Sequence, residues 1–144
     1  MVIDDLKLTG ALKISLNDEI VHQCDNLVVT AGKQWVAGRF KDGSIPAEMS
    51  HMAIGSADTA PAAGNTALAT ELNRIALTTD GGTVSTNTVQ YDASWTSAAA
   101  AYAIKEAGIF NAASGGTMLA RTTFAVINKG TDDTVSISWT ITVS

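Results

Sequence analysis

The sequence predicts an all-β fold: an antiparallel β-sandwich, jelly-roll-like, with one short helix near residues 31–41. Residues 134–144 alternate without interruption between Ser or Thr and a β-branched or aromatic residue, the pattern of a strand with one buried and one solvent-facing side. About eight short strands follow one another at regular spacing, separated by turn residues. A parallel βαβ sheet would need helices between its strands, and the sequence predicts none at those places.

The composition indicates one soluble domain. At 144 residues the chain can bury roughly 70% of its unfolded surface, so we expect residues 1–144 to form a single β-sandwich domain, with residues 1–26 as an N-terminal hairpin or arm that has a role in assembly. Its 9 Lys and Arg are scattered among 14 Asp and Glu, giving a net charge of −5, which argues against binding to nucleic acid. No apolar run reaches the length of a membrane span, and acids occupy the N-terminus where a signal peptide carries bases. We therefore expect a protein that is made in the cytoplasm and contacts no membrane.

A β-hairpin is the first predicted element. Apolar residues share one parity from Leu6 to Leu16, with Gly10 in the same register, which indicates a strand with a bulge or a close backbone contact at the glycine. Asn17-Asp18 supplies turn chemistry. The segment from Ile20 to Val29, interrupted at Gln23 to Asn26, is predicted as the second strand.

The short helix is predicted directly after this hairpin. Thr30 is a suitable N-cap residue. Trp35 and Phe40 are spaced closely enough to share a buried face. The helix is expected to end near Asp42-Gly43, where turn residues follow.

The remaining elements are strands joined by loops. Strands are predicted at Met49–Gly55, Arg74–Thr79, Thr88–Ser94, Tyr102–Asn111, Met118–Ile127 and residues 134–144. Ser56 to Asn65 lacks any period and is predicted as a surface loop, followed by a brief helical piece around Ala67 to Leu72. Turns are expected at Asp80-Gly81-Gly82, at 113–116 and at 128–133.

The sequence offers little catalytic or metal chemistry. His22 and Cys24 point the same way along a strand, but a closed zinc site needs four ligands and His51 is the only other histidine. The lone cysteine cannot form an intramolecular disulfide. His51 lies outside any nucleophile-elbow motif and is interpreted as a partly buried, hydrogen-bonded residue. We therefore predict no enzyme activity, no catalytic, cofactor-binding or metal residues, and no cofactor.

Two sets of acidic residues receive structural interpretations. Asp4-Asp5 and Asp132-Asp133 flank strands, where turn-forming Asp is common. Glu106 lies within an otherwise apolar strand and would need a cationic partner if buried. Its partner would be one of three residues: Arg74, Arg121 or Lys105. We interpret it as half of a structural ion pair rather than an active-site acid.

Several blocks together resemble a known family. They are Asn26 to Lys33 ahead of Trp35, Met49 to Gly55 ahead of an Ala/Pro/Thr loop, Glu106 to Ala112, Met118 to Arg121, and the closing Ser/Thr-apolar strand. The set resembles a family of small virion proteins of tailed bacteriophages, often labelled tail-fibre-like. Some members are capsid cement (decoration) proteins on HK97-type shells, with a jelly-roll-like β fold. The resemblance covers about Leu27 to Ser144 and transfers no catalytic residues.

The resemblance implies a structural role in a virion. The expected function is that of a capsid cement protein on the outer capsid surface, bridging subunits of the major capsid protein, its expected partner. Self-association as a dimer or trimer is expected because shell proteins follow local symmetry axes. The alternative is a tail or tail-fibre component involved in host attachment. A small β-fold enzyme such as a cupin is disfavoured, because two histidines cannot supply a His-rich ligand set.

Overall fold

A computed structural model of the chain describes residues 5–41, 43 and 45–144. These residues form ten β-strands and one α-helix. The elements are β1 (Leu8–Leu16), β2 (Glu19–Asp25), β3 (Leu27–Val28), α1 (Thr30–Arg39), β4 (His51–Gly55), β5 (Glu71–Ala76), β6 (Thr83–Ser85), β7 (Thr88–Trp95), β8 (Tyr102–Phe110), β9 (Met118–Lys129) and β10 (Val135–Val143). Asp4 and Asp42, named in the predictions above, lie outside the described residues.

The strands form two antiparallel sheets that pack as a sandwich. The first sheet has the order β2-β1-β10-β7-β6, and the second has the order β3-β9-β8-β4-β5. Apolar side chains from both sheets meet in the main core. The predicted all-β sandwich with one short helix is confirmed.

The closing strand lies at the centre of the first sheet. β10 pairs with β1 on one side and with β7 on the other. Its alternation was predicted to bury Val135, Ile137, Trp139, Ile141 and Val143. The first four are buried, and Val143, the last residue of the strand, is exposed.

The N-terminal hairpin is confirmed, with one correction to its second strand. Asn17 and Asp18 form the turn with φ of 50° and 68°. Gly10 makes the predicted close contact, because a Cβ there would collide with the side chain of Asn26. The predicted interruption from Gln23 was wrong, since β2 continues to Asp25 and the chain crosses to the second sheet only at Asn26. There the Asn26 N–H donates to the Gly10 carbonyl at 3.0 Å, which fixes the crossing point.

Two predictions about α1 were wrong. Thr30 is the first helical residue, and Val29 occupies the N-cap position. The Thr30 N–H donates instead to the backbone carbonyl of Ala63 at 2.8 Å. Phe40 shares no buried face with Trp35, because its side chain is 82% exposed just after the helix ends at Arg39.

The second half differs from its prediction at three short segments. The strand expected over Arg74–Thr79 is β5, which covers Glu71–Ala76. The helical piece predicted at Ala67 to Leu72 is wrong: 67–70 belong to a loop, and Leu72 lies in β5. The short, exposed strand β6 was not predicted. The turn before it is confirmed, with φ of 74° at Gly81 and 75° at Gly82.

A second, smaller apolar cluster lies on the outer face of the second sheet. It consists of Val29, Ala53, Leu68, Phe110 and Met118. Leu68 belongs to the segment between β4 and β5, and Val29 directly precedes α1. The helix approaches β9 closely, since a Cβ at Gly32 would collide with the carbonyl of Leu119. The helix and the β4–β5 segment therefore cover this face of the sandwich.

Candidate functional site: an anchored loop on the second sheet

The segment between β4 and β5, residues 56–70, is the longest stretch without regular structure among the described residues and is here called the anchored loop. Loops longer than about 12 residues in compact domains are typically functional or disordered. The ends of this one are joined, because the Ser56 N–H donates to the Thr70 carbonyl at 3.0 Å. A compact loop with adjacent ends has the form of an Ω-loop, a type that is frequently functional.

The carboxylate of Glu106 binds backbone amides at both ends of the anchored loop. It accepts backbone N–H bonds from Thr70 at 2.7 Å, from Ala69 at 3.1 Å and from Ala57 at 3.4 Å. A register shift in the β8–β9 ladder between Ile104 and Glu106 accompanies this placement. The glutamate thus replaces the sheet hydrogen bonds that these loop amides do not make.

Arg121 is the partner of Glu106 and extends the anchor to the middle of the loop. Its Nη2 and Nε lie 2.8 and 3.1 Å from Glu106 Oε2. The same guanidinium donates to the Thr59 carbonyl at 2.9 Å and to Asn65 Oδ1 at 3.1 Å. Of the three cations that the sequence offered to Glu106, the structure selects Arg121, and the predicted ion pair is confirmed.

Because this ion pair is buried, we interpret its role as positioning the anchored loop rather than adding net stability. The side chains of Glu106 and Arg121 are 0% and 1% exposed. Desolvating two charges offsets much of their attraction, whereas leaving one of them alone is strongly destabilising. The loop supplies the remaining hydrogen bonds of both buried groups.

Packing fixes the loop at further points. Leu68 inserts into the small apolar cluster over the second sheet. Gly55 is required at the entrance, because a Cβ there would collide with Glu106 Oε1 and with the Thr70 carbonyl. Asn65 closes an internal turn by accepting from the Ala62 N–H at 2.8 Å. The loop is thus held at its ends, its centre and one buried side chain.

The outward surface of the anchored loop consists of small side chains. Its exposed residues are Asp58, Thr59, Ala60, Ala62, Ala63, Gly64, Thr66, Ala67, Ala69 and Thr70. Small side chains have little rotamer freedom to lose, and a fixed backbone has little left to lose, so binding a partner here costs little conformational entropy. The surface suits close backbone contact with another macromolecule.

Arg74 is a second anchor that the sequence analysis did not identify. Its guanidinium lies 3.7 Å from the Phe110 ring centroid and donates to the carbonyls of Ala112 and Gly115 at 3.0 and 2.9 Å. It also pairs with Glu71 at 2.7 Å. Arg74 thereby holds the β8–β9 loop, residues 111–117. Because those carbonyl partners are distant in sequence, no local pattern revealed this role.

The residues considered for metal or catalytic chemistry lie in structural settings. The His22 ring packs at 5.5 Å from the Phe124 ring, and Cys24 Sγ lies 3.7 Å from Thr122 Oγ1. Burial raises the pKa of the Cys24 thiol. His51 is half-buried with Nδ1 2.8 Å from Ser50 Oγ, as predicted. Within 5–41, 43 and 45–144, no group of three or more His, Cys, Asp or Glu is placed to hold a metal ion.

Asp133 has the turn-forming role predicted for it. Its carboxylate accepts from the Gly130 N–H at 2.7 Å and from Asn17 Nδ2 at 2.9 Å. The hydrogen bond from Asn17, followed by that from Gly130, lowers the pKa of Asp133. These bonds place the β9–β10 turn beside the β1–β2 turn.

None of the helical residues in the described part of the chain makes a segment long and apolar enough to cross a membrane. Comparisons with family models, curated proteins and solved structures give no match to this chain.

Proposed function

We propose that this protein is a structural virion component, a capsid cement protein that binds the outer surface of an HK97-type phage head. In this role it bridges subunits of the major capsid protein and stabilises the shell. The anchored loop carries the proposal. It offers a fixed backbone and small side chains to a partner, and it needs no cofactor to do so.

Three of the five sequence blocks that resemble tailed-phage virion proteins lead into this loop or supply its anchor. Met49 to Gly55 contains β4 and leads into the loop, Glu106 to Ala112 contributes the carboxylate, and Met118 to Arg121 contributes the guanidinium. The fixed geometry of the loop supports it as the contact with the shell.

Reconstitution on heads tests the proposal. Purified protein is added to HK97-type heads that lack it, and bound copies are counted by gel densitometry and located by cryo-electron microscopy. We expect saturable binding at fixed positions on the outer surface and a higher temperature of head disruption. Absence of binding, or localisation of the chain to the tail of intact virions, contradicts the proposal.

A pair of matched variants locates the contact. Ala67→Glu places a large charged side chain on the exposed loop surface, while Ser85→Glu places one on exposed strand β6 of the other sheet. Neither side chain is buried, so both variants should keep the stability of the parent protein. Binding to heads should fall for Ala67→Glu alone.

The alternative function is a tail or tail-fibre component that binds a host-surface glycan, and one feature favours it. A cleft of about 430 Å³ lies at the first sheet, with Lys13, Gln23, Asp25, Gln90, Ser138 and Thr140 among its lining residues. These side chains offer hydrogen bonds to sugar hydroxyls. A glycan array tests this function: selective binding that is lost in Gln90→Ala supports it, and an array without binding counts against it.

A further inference from the structure

An apolar groove lies between α1 and the end of the first sheet at which β1 begins and β10 ends. Its apolar lining residues are Leu6, Leu8, Val36, Ala37, Phe40 and Val143, and its volume is about 510 Å³. Phe40 and Leu6 are 82% and 70% exposed. Side chains of this kind are commonly buried in a contact with another molecule when they lie together.

Two lysines line this groove in a protein whose net charge is −5. Lys7 and Lys33 line it together with the apolar residues, and no acidic residue of the described chain does. Lys7 pairs with Asp5 at 3.0 Å in an exposed position, whereas Lys33 makes no ion pair within the described ranges. The groove therefore favours an occupant that is apolar and acidic.

The tip of the β1–β2 hairpin has this chemistry. We call residues 18–21, Asp18-Glu19-Ile20-Val21, the acidic tip. Ile20 and Val21 are exposed at the edge of the first sheet, next to two carboxylates. Asp133 lies beside the tip through its hydrogen bond with Asn17, which adds negative charge. Two basic residues lie nearby: Lys129 is buried and donates to three backbone carbonyls, and Lys13 lines a surface depression together with Ile20 and Asp92.

The groove and the tip cannot meet within one molecule. They lie at opposite ends of β1, which runs from Leu8 to Leu16 and is roughly 30 Å long at about 3.4 Å per residue. A contact between them needs two copies of the chain. Because the two surfaces differ, the contact is heterologous, and its repetition gives a closed ring or an open filament.

We infer that the acidic tip of one copy docks in the apolar groove of the next, with Ile20 against Phe40 and Leu6 and with Glu19 near Lys33. This inference specifies the surfaces for the self-association that forms part of the proposed function. A heterologous contact closes as a ring of three or more copies, so it favours the trimer over the two-fold dimer.

Apolar truncation is the first test, by sedimentation velocity over a range of concentrations. We expect the parent protein to form an oligomer whose dissociation constant rises by about tenfold or more in Phe40→Ser and in Ile20→Ser. Val84→Ser is the matched control, because Val84 is 70% exposed on β6, away from both surfaces. All three variants should keep the parent's unfolding midpoint, since each altered side chain is exposed.

Charge reversal tests the pairing and its head-to-tail geometry. Lys33→Glu and Glu19→Lys should each weaken the oligomer, and the double variant in one chain should restore it. An equimolar mixture of Phe40→Ser and Ile20→Ser retains one native groove and one native tip, and its two altered surfaces cannot compensate for each other, so it should form a dimer and nothing larger. A two-fold symmetric contact would not give this result.

Three outcomes overturn the inference: a parent protein that stays monomeric at every concentration, an oligomer unaffected by Phe40→Ser and Lys33→Glu, or charge reversal without rescue. Head binding separates this failure from failure of the proposed function. If the protein is monomeric and still binds heads, the inference fails and the cement function stands. If the oligomer behaves as expected and heads are not bound, the inference stands and the cement function fails.

Discussion

Two tryptophan side chains connect the sheets at the scale of single residues. Trp139 in the first sheet donates its indole N–H to Asn26 Oδ1 at 2.7 Å, where the chain crosses between sheets. Trp95, also in the first sheet, donates to Asn73 Oδ1 in the second at 2.9 Å. Buried indoles require such partners. Each tryptophan therefore contributes apolar area and one directional bond between the layers.

Replacing Trp139 by Ala should lower the free energy of unfolding by roughly 3–5 kcal/mol, because it leaves a large cavity and removes the partner of Asn26. Urea unfolding followed by circular dichroism measures the change. Thr140→Ala is the matched control on the opposite face of the same strand and should change stability by less than about 0.5 kcal/mol. An unaltered midpoint for Trp139→Ala would show that the indole contributes nothing to the core.

Tyr91 predicts a specific loss of stability in alkali. Burial raises its pKa from 10.0 to about 12. Because the folded-state pKa is raised, the contribution of Tyr91 to the free energy of unfolding is fully present below pH 10. It is lost as the pH rises from 10 to 12, because in that range only the unfolded state releases the proton. The loss should reach up to about 3 kcal/mol at 1.36 kcal/mol per pKa unit.

The alkaline loss is measured by urea unfolding at several pH values on the parent and on Tyr91→Phe. Other groups also titrate in this range, so the difference between the two proteins isolates the tyrosine. The phenylalanine variant should lose less stability than the parent between pH 10 and 12. Parallel curves for the two proteins would contradict the effect of burial on Tyr91.

The anchored loop carries the proposed function at the scale of elements, and the ion pair that anchors it makes a testable contribution to stability. Glu106→Gln should cost about 3–5 kcal/mol, because Arg121 is left as an uncompensated buried charge. The double variant Glu106→Gln, Arg121→Met should be less destabilised than the sum of the single changes. Asp58→Asn, which removes an exposed pair with Lys105 at 3.7 Å, is the control and should cost no more than about 1 kcal/mol.

The same variants test whether the pair positions the loop. Hydrogen exchange at the amides of Ala69 and Thr70 should accelerate in Glu106→Gln, because both donate to the carboxylate. Exchange in β10, on the other sheet, should rise only in proportion to the loss of global stability. Protected loop amides in this variant would show that packing alone, through Leu68, holds the loop.

The elements differ in how much their sequences reveal, and the reason is the range of the interactions that fix them. β10 and β7 were predicted because alternation is a local property. The N-cap position of α1 was not predicted correctly, because the Thr30 N–H bonds to the Ala63 carbonyl in a distant loop. Residues 67–70 resemble a helix in composition but are held in a loop by Glu106. The ion pair itself was predicted from a charge in an apolar strand, while the loop amides that it binds had no signal in the sequence.

The sandwich closes at the scale of the whole molecule by pairing its first strand with its last. β1 runs antiparallel to β10 from the Leu8–Val143 pair to the Leu16–Val135 pair. Lys7 and Ser144 extend the ladder with two reciprocal backbone bonds of 2.8 and 2.9 Å. Residues 8–25 are therefore an integral part of the first sheet, and the predicted hairpin is not a separate arm.

This closure predicts the result of shortening the chain. A protein that begins at Leu27 lacks β1 and β2, so one edge of β10 loses its hydrogen bonds, the core loses Leu12 and Ile14, and Trp139 loses its partner Asn26. We expect no cooperative unfolding transition and no near-ultraviolet circular dichroism from the tryptophans. A chain that begins at Leu6 retains every strand of the described residues and should keep a cooperative transition and the near-ultraviolet signal. If residues 1–26 act only in assembly, the shorter protein will instead keep a cooperative transition and lose only its association with other molecules.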